Sequence, residues 1–174
     1  IAYSNLAGEA FEAATEFNLL VIPMFVLMGT LAGASGMSND LFTAAYRYLG
    51  HLRGGLASAT IAACAGFAAL SGSSLASAVT MGRVALPEMK RYKYADSLAT
   101  GSVAAGGTLG FLIPPSGGMI IYAVLTEHSI GRLFMAGVIP GSVMTLLLIG
   151  AIYFAASRNP EAGPPGERAG RAQR

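Results

Sequence analysis

Apolar and polar positions fall into long blocks along this chain. No Asp, Glu, Lys or Arg occurs in residues 17–39, 54–82, 97–126 or 133–157, and these stretches hold 107 of the 174 residues. A bilayer-spanning helix needs about 20 consecutive apolar residues, so each block is long enough. Residues 17–36, FNLLVIPMFVLMGTLAGASG, predict a spanning helix with Pro23 as a kink point. Upstream, Glu9, Glu12 and Glu16 share a helix face and mark an amphipathic lead, so 1–36 is one unit. Residues 37–55 carry Leu41, Ala45, Tyr48, Leu49 and Leu52 at helical spacing beside Arg47, His51 and Arg53. That pattern suits a helix lying in the membrane interface.

Residues 56–93 pose a choice between one tilted span and two short helices, 56–71 and 78–92, meeting at LSGSSLAS. Sixteen helical residues reach about 24 Å, short of the roughly 30 Å hydrocarbon core. Two such helices therefore make a hairpin that enters and leaves on one side. With the hairpin, 10 of the 11 Lys and Arg fall on one side, and only Arg132 lies opposite. The tendency of basic residues to stay cytoplasmic favours that arrangement. Residues 94–129 contain GGTLGFLIPPSGGMIIY. Pro114 and Pro115 remove two backbone donors, and Ile113 is pushed toward extended geometry. Gly106, Gly107, Gly110, Gly117 and Gly118 add to a predicted hinge and helix break around residues 110–118. Residues 130–157 form a further span, and 158–174 read as a Pro/Gly/Ala/Arg-rich solvated cytoplasmic linker. The expected fold is an all-α integral membrane protein with transmembrane helices, a re-entrant helical hairpin and a broken helix.

Composition agrees with the pattern. Charged residues are 11% of the chain against roughly 25% in soluble domains. A soluble enzyme and a nucleic-acid binder are excluded, and a net charge of +2 implies no bulk electrostatic partner. The chain opens at Ile1 without an initiator Met and reads as a piece of a longer protein. Cys64, the single cysteine, sits in an apolar block and is expected to pack as a small hydrophobe. His51 and His128 lie outside the blocks and are expected at the interfaces. Ser73 with His128 is the one conceivable nucleophile and base, and no acid within an apolar block supports the pair, so no catalysis is expected.

The candidate chemistry lies in the two interruptions, GSS at 72–74 and PPS at 114–116. A broken helix frees carbonyls and N–H groups that need partners, and such breaks near the bilayer midplane point to transporter binding sites. Ser71, Ser73, Ser74 and Ser77 offer donors and acceptors without fixed charge. The same small residues also serve close helix packing, and composition alone does not choose between the two roles.

Four stretches in this order resemble the large membrane subunit (DctM type) of TRAP transporters. They are IPMFVLMGTLAGASGMS at 22–38, GFAALSGSSLASAVTMG at 66–82, LPEMKRYKYADSLATGSVAAGGTLGFLIPPS at 86–116, and IIYAVLTEHSIGRLFMAGVIPG at 120–141. The resemblance covers roughly residues 17–156 and looks like the later part of the first inverted repeat. It implies the elevator-type architecture of the ion-transporter superfamily. It also implies Na⁺-coupled import of small organic acids, of C4-dicarboxylate or sialic-acid type, across a bacterial inner membrane. The implied partners are a small membrane subunit (DctQ type) and a periplasmic solute-binding protein (DctP type); Na⁺ is the coupling ion and no cofactor is implied. Residue by residue, it implies Na⁺ contacts at Gly72, Ser73, Ser74, Pro114, Pro115 and Ser116, and substrate contacts at Ser74, Ser77 and Ser116. The Gly117–Gly118 pair departs from the family's usual continuation after PPS. Two other readings stay open here: a Na⁺/dicarboxylate symporter working without a binding protein, and a structural membrane subunit.

Overall fold

The computed structural model describes residues 17–159 and 162–164. The expected N-terminal lead with Glu9, Glu12 and Glu16, and the end of the tail from residue 165, lie outside the described residues. Among the described residues seven helices follow in order: α1 Phe17–Ala34, α2 Met37–Leu49, α3 Gly55–Ser71, α4 Ser74–Arg91, α5 Asp96–Leu112, α6 Gly117–Leu125 and α7 Ile130–Arg158. Among the described residues there is no strand.

α3 is the centre of the packing. Leu56, Ile61, Cys64 and Phe67 are buried, and so are its small residues Ala57, Ala59, Ala63 and Ala68. α1, α2, α4, α5 and α7 all touch it. Small side chains let those neighbours approach closely without a large apolar residue at each contact. α2 is amphipathic, but it ends at Leu49 and leaves Tyr48, a member of the predicted apolar face, exposed. It buries Ser38 and Phe42, stacks Phe42 on Tyr46, and leaves Arg47 exposed.

α3 and α4 reverse on one another through only Gly72 and Ser73. Their far ends return together, because the Leu56 N–H at the start of α3 donates to the Tyr94 hydroxyl just after α4, at 3.2 Å. Tyr94 in turn donates to the Pro164 carbonyl at 2.8 Å. Ala95 N–H donates to Ala162 O and Gly54 N–H to Gly163 O, at 3.0 and 3.1 Å. Residues 162–164 therefore strap the base of the hairpin. This differs from the solvated linker read from composition, and the cause is backbone pairing, which Pro and Gly carbonyls supply as well as any other residue.

This end of the molecule gathers Arg53, Lys90, Arg91, Lys93 and Arg158, while Glu127, His128 and Arg132 sit at the α6–α7 turn. Two helical stretches among the described residues are long and apolar enough to cross a bilayer, Asp96–Leu125 and Ile130–Arg158. α7 leaves Met135, Ile139, Leu146 and Leu147 more than 60% exposed. Apolar patches that size are rare on soluble monomers and suit lipid or a protein neighbour.

Candidate functional site

The two interruptions meet. Gly72 ends α3 in the left-handed region, at φ 58° and ψ 11°, and its N–H donates to Ala68 O. Its carbonyl accepts from the Gly117 N–H at 3.1 Å, so the hairpin tip is hydrogen-bonded to the start of α6. A Cβ on Gly72 would lie 2.6 Å from Pro115 O. Only glycine meets both the backbone sign and the close approach.

Each break has the local chemistry its residues dictate. Ser73 is extended (φ −127°, ψ 122°) and caps α4, its Oγ accepting from the Ala76 N–H at 3.3 Å. At the second break α5 stops with Ile113 N–H on Leu109 O. Ile113 is extended, as a residue before proline prefers. Pro114 and Pro115, joined by a cis peptide, have no N–H for the carbonyls of Gly110 and Phe111, which lose their usual helical partners. Ser116, again extended, starts α6 without a side-chain capping bond. Two helix N-termini and two C-termini thus converge. Partial positive and partial negative ends lie side by side, a setting that suits an anion at one and a cation at the other.

The hydroxyls at this junction differ in their freedom. Ser116 is fully buried, and its Oγ has no hydrogen-bond partner. Such a group costs about 1–3 kcal/mol unless something binds it. Ser74, the first residue of α4, is half-buried. Ser77 is fully buried and pairs with Ser71 Oγ at 3.0 Å. Ser71 Oγ also stands 3.5 Å from the Ser73 backbone. Ser77, one of the residues expected to contact substrate, stands in a hydroxyl pair beneath the tip. Ser71, absent from the implied site residues, completes that pair; its membership in the serine-rich tip was the only signal. The oxygens here are hydroxyls and carbonyls without formal charge, a donor set that fits an alkali cation.

Glycines of neighbouring helices admit the tip. α5 runs unbroken through Gly106, Gly107 and Gly110, and the helix break follows them, at residues 113–116. They provide clearance: a Cβ on Gly106 would meet Cys64 Sγ at 2.8 Å, one on Gly107 Ala78 Cβ at 2.6 Å, and one on Gly110 the Ser73 carbonyl at 2.8 Å. Gly29 of α1 does the same against Ser71 Cα at 2.9 Å. Of the predicted hinge glycines, Gly117 and Gly118 alone adjoin a break, as the first residues of α6. A separate cavity of about 550 Å³ at Glu127–Gly131 lies beyond the far end of α6 and takes no part in the junction.

The model of the tripartite ATP-independent periplasmic transporter DctM component matches residues 3–173. The chain belongs to this family. It is 45% identical over 152 residues to the C4-dicarboxylate TRAP transporter large permease protein DctM of Pseudomonas aeruginosa, covering 87% of this chain and 36% of that protein. It is 39% identical over 149 residues to the isethionate TRAP transporter permease protein DctMQ of Oleidesulfovibrio alaskensis, covering 86% and 24%. The sialic acid TRAP transporter large permease protein SiaM of Vibrio cholerae is 39% identical over 148 residues, covering 85% and 35%. The chain thus spans roughly a third of these relatives or less. Within this DctM-family segment the paired breaks bring together freed backbone carbonyls and the unpartnered Ser116 hydroxyl; Ser58 Oγ, inside α3, is a second buried hydroxyl without a partner.

Proposed function

We propose that this chain is part of the large permease subunit of a TRAP transporter that couples Na⁺ entry to uptake of a small organic anion. The observation that carries the reading is the junction itself: two helix breaks held together by the Gly117–Gly72 hydrogen bond, with the buried Ser116 hydroxyl unpartnered beside them. In this reading Na⁺ takes carbonyls and hydroxyls from Gly72, Ser73, Ser74 and the Pro114–Ser116 segment. The α4 and α6 N-termini, with Ser74 and Ser116, face the anionic group of the substrate. Na⁺ neutralises the carbonyl-rich side and so raises affinity for the anion, which is the coupling. The names of the relatives support the substrate class, since C4-dicarboxylates, isethionate and sialic acid each carry a carboxylate or sulfonate.

The α3–α4 hairpin acts as a re-entrant element from the cytoplasmic side of the inner membrane, in a multi-pass, elevator-type protein. The short reach of α3, about 25 Å, and the basic residues gathered at the hairpin base support that orientation. A periplasmic binding protein delivers the substrate and a small membrane subunit completes the complex. In proteoliposomes holding the complete transporter and a Na⁺ gradient, Ser74→Ala lowers uptake at limiting Na⁺ by about tenfold, one charge-assisted contact's worth. Uptake and Na⁺ dependence equal to wild type would refute the role of Ser74. Omitting the binding protein abolishes uptake; undiminished uptake identifies a symporter that works alone.

A further inference from the structure

A second cavity, of about 520 Å³, opens on the other side of the tip, between α1 and α4. Its volume is in the range of small-molecule sites. Ser73, Ala76, Thr80 and Arg83 line it from α4; their spacing of three, four and three residues keeps them on one helix face. Thr30 and Ser38 line it from the opposite wall. The cavity thus starts at a residue of the junction and ends at a cation. No carboxylate lines it, and among the described residues none pairs with Arg83.

The depth of Arg83 makes it unlike the other basic residues of the hairpin. It lies ten residues, about 15 Å, along α4 from Ser73, and seven residues, about 10 Å, short of Lys90. Lys90, Arg91 and Lys93 cluster at the hairpin base, where lipid headgroups and water meet them. Arg83 is exposed, so its guanidinium, seven residues inside that level and lining the cavity, is open to a ligand. Its rigid fork fits a carboxylate or sulfonate through paired N–H donors.

We infer that Arg83, with the hydroxyl of Thr80, forms a transit site for the anionic group of the transported molecule between the junction and the basic, cytoplasmic end. This rests on the transport reading above. The Ser73 and Thr80 hydroxyls give the anion two polar contacts between the junction and Arg83, along a wall that is otherwise largely apolar. Arg83 then sets how well the carrier binds anion from the cytoplasmic side.

The test uses the complete transporter in proteoliposomes of phosphatidylcholine, with and without phosphatidylglycerol. The KM for organic anion is measured by exchange at the cytoplasmic face and by uptake at the opposite face. Arg83→Gln raises the cytoplasmic-face KM about tenfold, the worth of one charge-assisted pair, while the opposite-face KM moves less than about twofold. Arg83→Lys restores part of the loss, since charge survives but the fork does not. Thr80→Val raises the same KM about threefold, as one neutral hydrogen bond implies; it stands in if the glutamine variant fails to assemble. An unchanged cytoplasmic-face KM in both variants, with wild-type transport intact, overturns the inference alone. Wild-type vesicles that move no organic anion overturn the transport reading beneath it. An effect confined to vesicles with phosphatidylglycerol shows that Arg83 holds a lipid headgroup, and equal KM rises at both faces show a merely structural role; either overturns the inference.

Discussion

Gly72→Ala in the complete transporter reduces Na⁺-driven uptake to below about a tenth of wild type. A single added methyl group meets two obstacles. Alanine in the left-handed region costs about 1–2 kcal/mol. The new Cβ would also stand 2.6 Å from Pro115 O, a backbone atom that cannot swing aside. Relief by separating the breaks would stretch the 3.1 Å Gly117–Gly72 hydrogen bond. Together these effects reach the upper end of the usual range for a single substitution, about 3 kcal/mol. The loss is local, so the protein still inserts and its unfolding midpoint drops by a few degrees only. The check is uptake in proteoliposomes beside thermal unfolding in detergent. Wild-type uptake by this variant would mean that the breaks need not touch.

Gly110→Val has an effect of similar size through another helix. Its Cβ would lie 2.8 Å from the Ser73 carbonyl carbon and oxygen and from Ser74 N, all backbone atoms. The variant forces α5 away from the hairpin tip and disrupts the cap on α4. Uptake falls by at least about tenfold, and stability falls by about 1–3 kcal/mol, the usual cost of overpacking. Gly101, on the same helix, is the control. It is exposed and has no atom near its missing Cβ. Gly101→Ala therefore stabilises by about 0.5–1 kcal/mol, the ordinary gain of Ala over Gly in a helix, and leaves uptake unchanged. If both variants behave alike, α5 does not support the junction.

Helix content and the hairpin were legible because charge spacing and basic-residue asymmetry are properties of the linear chain. The PPS break was legible because missing N–H groups belong to proline wherever it sits. The roles of Gly106, Gly107 and Gly110 were not. A missing side chain reads as flexibility along a sequence, while in the fold it is clearance for a particular neighbour, and the neighbour is not encoded nearby. The Ser71–Ser77 pairing was not legible for a related reason. The tip proved only two residues long, because Gly72 turns in the left-handed region and Ser73 caps at once. That tight turn brings Ser71 and Ser77 face to face. Arg83 counted in the sequence only as one more basic residue; its position between the tip and the hairpin base becomes informative once it is seen to line a cavity shared with Ser73 and with α1. Residues 162–164 look like linker by composition and are held by pairings with Gly54, Tyr94 and Ala95, each more than 65 positions away.

The central claim is that the joined breaks bind Na⁺ through groups left unpartnered in the apolar interior. The most direct measurement is the Na⁺-induced shift in thermal unfolding of the complete large subunit, with choline replacing Na⁺ at constant ionic strength. Ligand binding to the folded state alone stabilises it by mass action, so wild type shifts upward with Na⁺. Ser116→Ala removes the buried, unpartnered hydroxyl. The variant unfolds at or above the wild-type temperature in choline and loses most of the Na⁺ shift. A Ser116→Ala protein with the full wild-type Na⁺ shift would contradict the claim.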